Sequence, residues 1–348
     1  MPLYIGVDFH PHQQTVCWCD TQTGETDLQT LHHDLEKVRE FYQSLPPAIV
    51  GMEATTKATW FEKLLADTNH QLLVANPVIS SQKRTSRHKS DKRDARNLLH
   101  LLLTNEFPAI WRRPAANTQV LEILRARSNL VRQRTQIYNR LQAIAHDGGL
   151  AKGKAATKGY QELIKAVELD AAGQLNRNQL FDLLAKVNEQ LTELESWLLA
   201  KAVTDEQVKL LMTQSGVGYL TALAVVKTIG PVSRFERPTK QIPAFIGLEP
   251  LGRESAGKHK ATQISRAGSK LVRYLLGQSA HLAGRYDVEL KRFYQRLAKR
   301  KPKPVAKTAT ARKLLVKLVI MLRDNVTAAE FDQRGRPVND ARGAQGLQ

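Results

Sequence analysis

The chain contains little cysteine and no long apolar stretch. Its 348 residues include two cysteines, Cys17 and Cys19. They lie two apart on a predicted strand, too close on one face for a disulfide or a zinc site, so we expect a reducing compartment. The apolar run at 314–322 contains Lys317 and falls short of the roughly 18 residues that a membrane span needs. The N-terminus has no basic stretch followed by an apolar one, so we expect a cytoplasmic protein without a membrane partner.

Acidic residues are scarce over most of the chain. Residues 1–78 hold 4 basic and 10 acidic side chains, whereas the remainder holds 48 and 23, a net charge of +25. The excess is concentrated in residues 83–96, 112–140 and 285–323. A charge run is usually a solvated face, but three runs with so few counter-charges would repel one another without a polyanion. The charge favours a nucleic-acid partner and does not distinguish DNA from RNA, or an enzyme from a binding protein.

The first hundred residues alternate between predicted strands and helices. Short apolar runs predict five strands, at 3–8, 15–20, 26–33, 48–53 and 72–77. Helices are predicted at about 34–45 and 57–67, with a further helix after the last strand. This order is that of an α/β RNase H-like domain with a mixed sheet, which we place at residues 1–112.

The middle of the chain is predicted to form two long helices. One runs from Thr118 to about His146, and the other from Asn178 to Val203. In the second, apolar residues from Leu180 to Leu198 step by four and three, the heptad pattern of supercoiled helices. We therefore predict an antiparallel coiled coil within residues 113–203. Such an element commonly dimerises, although the two helices could instead pack inside an ordinary helical domain.

The last third is predicted to be mostly helical, with a domain at 204–326 and a flexible tail at 327–348. Helices at 205–213 and 219–230 flank a glycine-containing turn, in the manner of a helix-hairpin-helix that approaches phosphate with its backbone amides. Glycines between helices are also ordinary helix ends. The stretch from Pro231 to Gly268 is expected to be rich in loops.

Four carboxylates fall where this fold would bring them together. Asp8 lies toward the end of the first strand, and Glu53 ends the fourth, which would lie beside it. Asp91 and Asp94 are three apart at the start of a helix and share a face. Clustered carboxylates repel one another, and divalent cations relieve that repulsion while assisting phosphodiester chemistry. Since all the ligands are oxygens, the sequence predicts a Mg²⁺ or Mn²⁺ site.

Each carboxylate also has a simpler interpretation. Asp91 and Asp94 could favour a helix N-terminus or pair with neighbouring cations. Glu53 could be a strand-end charge, whereas Asp8 on a buried strand is harder to explain without a partner. Nearby histidines, including His10, are more typical of surface or strand-pairing positions than of ligands. Cations around the last two acids are predicted to meet nucleic-acid phosphates: Lys83, Arg84, Arg87, Lys89, Lys92 and Arg93.

The sequence resembles a known family through two blocks of motifs. YIGVDFH, GMEAT and SDKRDAR resemble the Asp-Glu-Asp-Asp signature of insertion-sequence transposases related to the Piv DNA invertase, whose N-terminal domain is similar to that of the RuvC resolvase. SGVGYLTALAVVKTIG, PAFIGLEPLGRESAG and ISRAGSKLVRYLL resemble the C-terminal transposase domain of the same family. The resemblance covers roughly residues 3–325 and implies DNA cleavage, strand exchange and religation by a bacterial, nucleoid-associated enzyme.

The resemblance also implies a serine nucleophile that becomes covalently linked to DNA. The matching residue is Ser255 in GRESAGKH, where Ala256 intervenes before the glycine. Arg253, Lys258 and Lys260 would then neutralise charge on the phosphate. The resemblance implies partners besides double-stranded DNA. These are a guide noncoding RNA and further copies of the chain, which would form a homo-oligomer from dimer to tetramer.

Two other functions fit part of the sequence. A structure-specific, junction-resolving nuclease would use the same acids with water as the nucleophile. A non-catalytic nucleic-acid-binding protein would use them as ion-pair partners. The order of the acids disfavours the second alternative, and only the resemblance in the C-terminal half disfavours the first.

Overall fold

The computed structural model describes residues 3–55, 58–82, 90–255 and 258–334, with the side chains of Ser81, 252–255 and 258–262 left undescribed. The described chain divides into two compact units, at residues up to Arg112 and from Arg113 onward. The predicted finer division of the second unit stays a prediction. The predicted flexible tail at 327–348 is wrong at its start, because Thr327 caps a helix at Ala328–Gln333 there. Lys83, Arg84, Arg87 and Lys89, and the residues beyond Arg334, lie outside the described residues.

The first unit is a mixed α/β sheet with helices. Its strands are β1 (Leu3–Phe9), β2 (Gln13–Asp20), β3 (Thr26–His32), β4 (Ala48–Glu53) and β5 (Gln71–Ala75). Its helices are α1 (Leu35–Ser44), α2 (Thr59–Asp67), α3 (Pro77–Gln82) and α4 (Asp91–Leu103). The five predicted strands and the helices between them are thus confirmed, with ends that move by one or two residues.

The sheet order is β3-β2-β1-β4-β5. The first three strands pair antiparallel, while β4 is parallel to both β1 and β5. One face of β1 buries Leu3, Ile5 and Val7 in the main apolar core of this unit. Successive side chains alternate across a strand, so Tyr4, Gly6 and Asp8 lie on the opposite face.

The second unit is mostly helical. Its helices are α5 (Ala115–Asp147), α6 (Lys158–Lys165), α7 (Ala171–Val203), α8 (Glu206–Met212), α9 (Tyr219–Ile229), α10 (Pro238–Ile246), α11 (Lys270–Tyr286), α12 (Val288–Ala298), α13 (Lys303–Asp324) and α14 (Ala328–Gln333). A hairpin of β6 (Pro250–Ser255) and β7 (Lys258–Ile264) interrupts them. None of the described helices is long and apolar enough to cross a membrane.

The two longest helices pack side by side as predicted. Arg127 of α5 bonds Glu195 of α7, and Arg134 bonds Asn188 further along, so the helices run antiparallel. Leu180, Leu184 and Leu191 are buried in their shared core. Both helices exceed their predicted lengths, because residues 115–117 and 171–177 carry no heptad signal but still continue the helix.

The prediction of a loop-rich stretch between Pro231 and Gly268 is wrong. The chain there forms a 3₁₀ turn at Val232–Arg234, then α10 and the β6–β7 hairpin. Pro238 stands at the start of α10, where its missing N–H costs no hydrogen bond, and Gly247 ends the helix with a left-handed φ of 80°. Proline and glycine therefore mark the ends of a short helix here rather than its absence.

Candidate metal centre

The site forms where α4 crosses β1. A Cβ added to Gly6 would lie 2.3 Å from the Ala95 carbonyl oxygen and 2.5 Å from the Leu99 amide nitrogen, so only glycine permits this approach of helix to strand. Ala95 is fully buried at the crossing. Because Gly6 precedes Asp8 by two residues, the face of β1 that touches α4 is also the face that carries Asp8.

Glu53 lies on the neighbouring strand and on the same face. The parallel register pairs Gly6 with Gly51 and Val7 with Met52, so the next residues along the two strands are Asp8 and Glu53. Neighbouring strands lie about 4.8 Å apart, which makes these two acids neighbours at the same edge of the sheet. Ser80 of α3 donates its hydroxyl to Glu53 Oε1 at 2.8 Å and orients that carboxylate.

The start of α4 supplies the other two acids. Ser90 caps the helix, and its hydroxyl oxygen accepts the Arg93 amide. Asp94 is buried, with 8% of its surface exposed, whereas Asp91 is more open. Lys92 and Arg93, the two described cations predicted to bind nucleic acid here, are exposed on the same first turn.

His10 lies between two of the acids. Its Nε2 is 3.2 Å from Asp8 Oδ2 and 3.5 Å from Asp91 Oδ1. The tight turn between β1 and β2 fixes it there, where the His10 amide donates to the Gln13 carbonyl at 2.9 Å. One ligand atom from each of Asp8, His10 and Asp91 lies within 4.8 Å of the other two. Among the described residues this close group does not extend to Glu53 or Asp94.

The surroundings of Asp8 disfavour a bare negative charge. Burial is the largest influence and raises the pKa of its carboxyl; Asp94 and Asp91 raise it further, while His10 lowers it, and the net shift is upward. A divalent cation would reverse this balance, since it stabilises adjacent carboxylates in their charged form.

The donor set fits a divalent cation. Two carboxylates and an imidazole converge within 4.8 Å, and a further carboxylate raises the pKa of one of them. Carboxylate oxygens suit Mg²⁺ and Mn²⁺, whereas Mg²⁺ takes nitrogen ligands reluctantly. The imidazole adds a nitrogen donor that the predicted all-oxygen set did not contain.

The sequence predicted four acids as ligands and interpreted His10 differently. The structure places this residue against Asp8 and Asp91 rather than at a plain surface or strand-pairing position. Its spacing from Asp8, two residues along a strand end, was the available signal. The spacing alone does not predict that His10 contacts both acids. On a continuing strand it would only place Asp8 and His10 on one face, and it is the turn after β1 that brings His10 to Asp91.

Ser255 and its neighbouring cations lie on the hairpin of the second unit. Ser255 ends β6 and pairs with Lys258, while Arg253 pairs with Lys260 directly across the strands. The backbone register thus places Arg253, Lys258 and Lys260 within two positions of the serine along the hairpin. Their side chains lie outside the description.

Two family models match the chain. Residues 5–146 match a transposase model of the IS110 DEDD type, and residues 208–295 match the model described as "Transposase IS116/IS110/IS902 family". The first match contains all four acids, and the second contains the β6–β7 hairpin. Together they span about two thirds of the chain.

Curated relatives agree with the models. A probable family 20 transposase of Pseudomonas aeruginosa is 29% identical over 321 residues, covering 88% of this chain and 89% of that protein. The transposase for insertion sequence element IS1328 of Yersinia enterocolitica is 25% identical, covering 80% and 83%. The transposase for element IS1111A of Coxiella burnetii is 29% identical over about half of each chain.

Proposed function

We propose that this chain is a transposase of the IS110/IS116 DEDD type that cleaves and rejoins the DNA of an insertion sequence at a metal site built by Asp8, Glu53, Asp91 and Asp94. The observation that carries the proposal is the convergence of Asp8, His10 and Asp91 within 4.8 Å, with Asp94 acting on the Asp8 carboxyl. The order of the five strands supports an RNase H-like, RuvC-like identity for this unit.

Each residue has a distinct part in this proposal. A bound Mg²⁺ or Mn²⁺ would supply charge neutralisation at the scissile phosphate. Asp8, Asp91 and Asp94 would hold the cation, and Glu53 would do so in an orientation set by Ser80. His10 would add a nitrogen ligand between Asp8 and Asp91. Lys92 and Arg93, exposed on the first turn of α4, bind phosphates of the DNA strand.

We further propose Ser255 as the group that attacks DNA and becomes linked to it. The resemblance of GRESAGKH to the serine-containing turn of the related transposases supports this choice. The hairpin register adds Arg253, Lys258 and Lys260 beside the serine, where their charges favour a phosphate. A weak hydroxyl nucleophile needs such assistance.

The partners proposed with this function are DNA, a guide noncoding RNA and further copies of the chain. The net charge of +19 supports polynucleotide binding. Exposed apolar side chains along the long helix α7, among them Leu183, Trp197 and Leu199, support self-association through that helix.

The metal site is tested by excision of the element from a plasmid. Asp8→Asn, Glu53→Gln, Asp91→Asn and Asp94→Asn should each lose excision, while Asp67→Asn, an exposed acid at the end of α2, should excise like the wild type. Full activity of the Asp8 and Glu53 variants would refute the metal site.

The serine is tested by trapping a covalent protein–DNA adduct. Wild-type protein should give an adduct that Ser255→Ala does not form. Free 5′-phosphate ends with no adduct would instead identify a nuclease that uses water.

The partners are tested by separate measurements. Recombination should depend on the noncoding RNA encoded beside the gene, and light scattering should give a dimer or a tetramer. Excision by protein and DNA alone would refute the guide, and a monomer in the presence of DNA would refute the assembly.

A further inference from the structure

A concave surface lies in the helical unit, among α5, α9 and the start of α11. It is a cleft of about 900 Å³. None of the described residues that line it is acidic. Five of its lining side chains are cationic: Arg113, Arg125, Arg127, Arg132 and Lys270. Such a surface attracts an anionic ligand and would concentrate it.

Most of this charge is not neutralised within the unit. Arg127 pairs with Glu195 at 2.7 Å. Arg125, Arg132 and Lys270 are exposed, and none of them has an ion pair with a described residue. The positive charge of the cleft therefore remains available to a ligand.

The polar groups of the cleft lie along one helix face and one helix end. Arg125, Asn129, Arg132 and Gln136 recur every three or four residues on α5, so they form one stripe toward the cleft. Opposite them, Ser269 caps the 17-residue helix α11 and Lys270 begins it. The free amides and the dipole at that end favour an anion.

A buried hydroxyl independently points to a ligand. Thr228 of α9 lines the cleft with only 3% of its surface exposed, and its Oγ1 has no hydrogen-bond partner among the described residues. Leaving such a group unsatisfied costs free energy, which a polar ligand atom in the cleft would recover.

Two aromatic rings stand among these cations. Tyr274 is 57% exposed and Phe245 is 37% exposed, both on the cleft wall. The Arg234 guanidinium lies 4.9 Å from the Phe245 ring centroid, within the range of a cation–π contact. Exposed rings beside cations are the arrangement by which proteins stack unpaired bases while binding their phosphates.

We infer that this cleft binds a short unpaired segment of nucleic acid, with phosphates on Arg125, Arg132 and Lys270 and a base stacked on Tyr274. The volume is that of a small-ligand site, so it admits a few nucleotides and not the body of a duplex. Bases inside a duplex also hide the faces that Tyr274 and Phe245 would contact. The inference does not depend on the acidic group, since it requires neither metal nor cleavage.

Fluorescence anisotropy of the full-length protein in EDTA tests the cleft. The probes are labelled oligothymidylate of about ten nucleotides, its RNA counterpart and a duplex of the same length. Tyr274→Ala should weaken single-strand binding about tenfold, and Arg125→Gln with Arg132→Gln should also reduce its salt dependence. Tyr274→Phe, which keeps the ring, should bind like the wild type.

Matched controls lie on the same helices outside the cleft. Tyr286→Ala removes a 70% exposed ring from α11, and Arg140→Gln removes an exposed cation from α5; both should leave binding unchanged. A strand carrying 5-iodouracil should cross-link to the peptide that contains Tyr274. Single-stranded DNA or RNA binding that responds to the variants in this way supports the cleft. A preference for RNA would indicate contacts to the 2′-hydroxyl groups. Equal losses in Tyr274→Ala and Tyr286→Ala, a loss of duplex binding as large as the loss of single-strand binding in Tyr274→Ala, or cross-linking elsewhere would overturn it.

Discussion

Asp8 of the first unit and Asp287 of the second are carboxylates of low exposure with opposite surroundings. Asp287, between α11 and α12, lies 3.0 Å from Lys317 Nζ, and both side chains are less than 10% exposed. Burial alone raises the pKa of Asp287, but the Leu290 amide, Lys317 and Gln214 outweigh it, so the pKa falls below its ordinary value. Asp8 has a raised pKa, with two further acids and one histidine near it.

The difference separates a structural carboxylate from one suited to a cation that is not part of the chain. Asp287 contacts a lysine, which it shares with the more exposed Asp332, and it accepts a backbone amide, so its charge is satisfied by folding. Among the described residues, His10 is the group that lowers the pKa of Asp8. The same imidazole also lies 3.5 Å from Asp91, so one histidine faces two carboxylates. A buried carboxylate with acids as neighbours is stable in its charged form only when something else supplies positive charge.

The largest expected effect is on Asp8. Asp8→Asn should reduce plasmid excision roughly a thousandfold, because one metal ligand is lost and several kcal/mol of charge stabilisation go with it. The melting temperature in EDTA should stay the same or rise, since the change removes a carboxylate that burial disfavours. A variant that excises normally, or that unfolds instead, would make Asp8 a structural acid like Asp287.

Asp287→Asn should have the reverse profile. It leaves the Lys317 ammonium buried with Asp332 as its remaining partner, at a cost of about 3 kcal/mol in the free energy of unfolding. Calorimetry should show the melting temperature falling by roughly 6–12 °C. Glu289→Gln, an exposed acid on the following turn, should change stability by less than about 1 kcal/mol.

The lowered pKa of Asp287 predicts that the free energy of unfolding depends on pH. Since the folded pKa of Asp287 lies below its unfolded value, its stabilisation is present above the unfolded pKa and is lost as pH falls through the folded one. Chemical denaturation between neutral and acidic pH should show the wild type losing this increment, while Asp287→Asn lacks it throughout. Parallel curves for the two proteins would show that the Lys317 pair contributes nothing.

The placement of Asp8 beside Glu53 was easier to predict from the sequence than the Asp287 pair, for a physical reason. Local patterns place Asp8 and Glu53 each toward the end of a strand, and the order of strands and helices along the chain indicates a fold in which those two strands are neighbours. Lys317 instead looks like an interruption of an apolar run, because its partner Asp287 lies 30 residues away and is brought to it by helix packing. His10 depends on a turn, and the β6–β7 hairpin on pairing between segments without strong strand patterns, so neither was predicted.

A smaller effect is expected where α4 crosses the sheet. Gly6→Ala places a methyl group against the Ala95 carbonyl and must displace α4, at a cost of about 1–3 kcal/mol. Because α4 carries Asp91 and Asp94, excision should fall up to about a hundredfold even in the folded protein. Gly159→Ala, which has open space around it, should fold at least as stably and excise normally. Unchanged excision by Gly6→Ala would show that this crossing does not position the acids.

The smallest effect is expected at His10. His10→Gln keeps a polar side chain but removes the imidazole, and should weaken metal affinity about tenfold with a matching loss of excision at limiting Mn²⁺. Excess Mn²⁺ should restore the activity. His12→Gln, two residues further along the same turn, is the control and should behave like the wild type. A loss at His10 that no concentration of metal restores would assign the imidazole to another role.

Electron paramagnetic resonance of Mn²⁺ bound to the full-length protein tests the metal site most directly, because it reports occupancy without requiring DNA or turnover. The wild type and Asp67→Asn should bind Mn²⁺ in a protein-bound signal that Asp8→Asn and Glu53→Gln lack. Equal Mn²⁺ binding by all four proteins would contradict a metal centre at the end of β1.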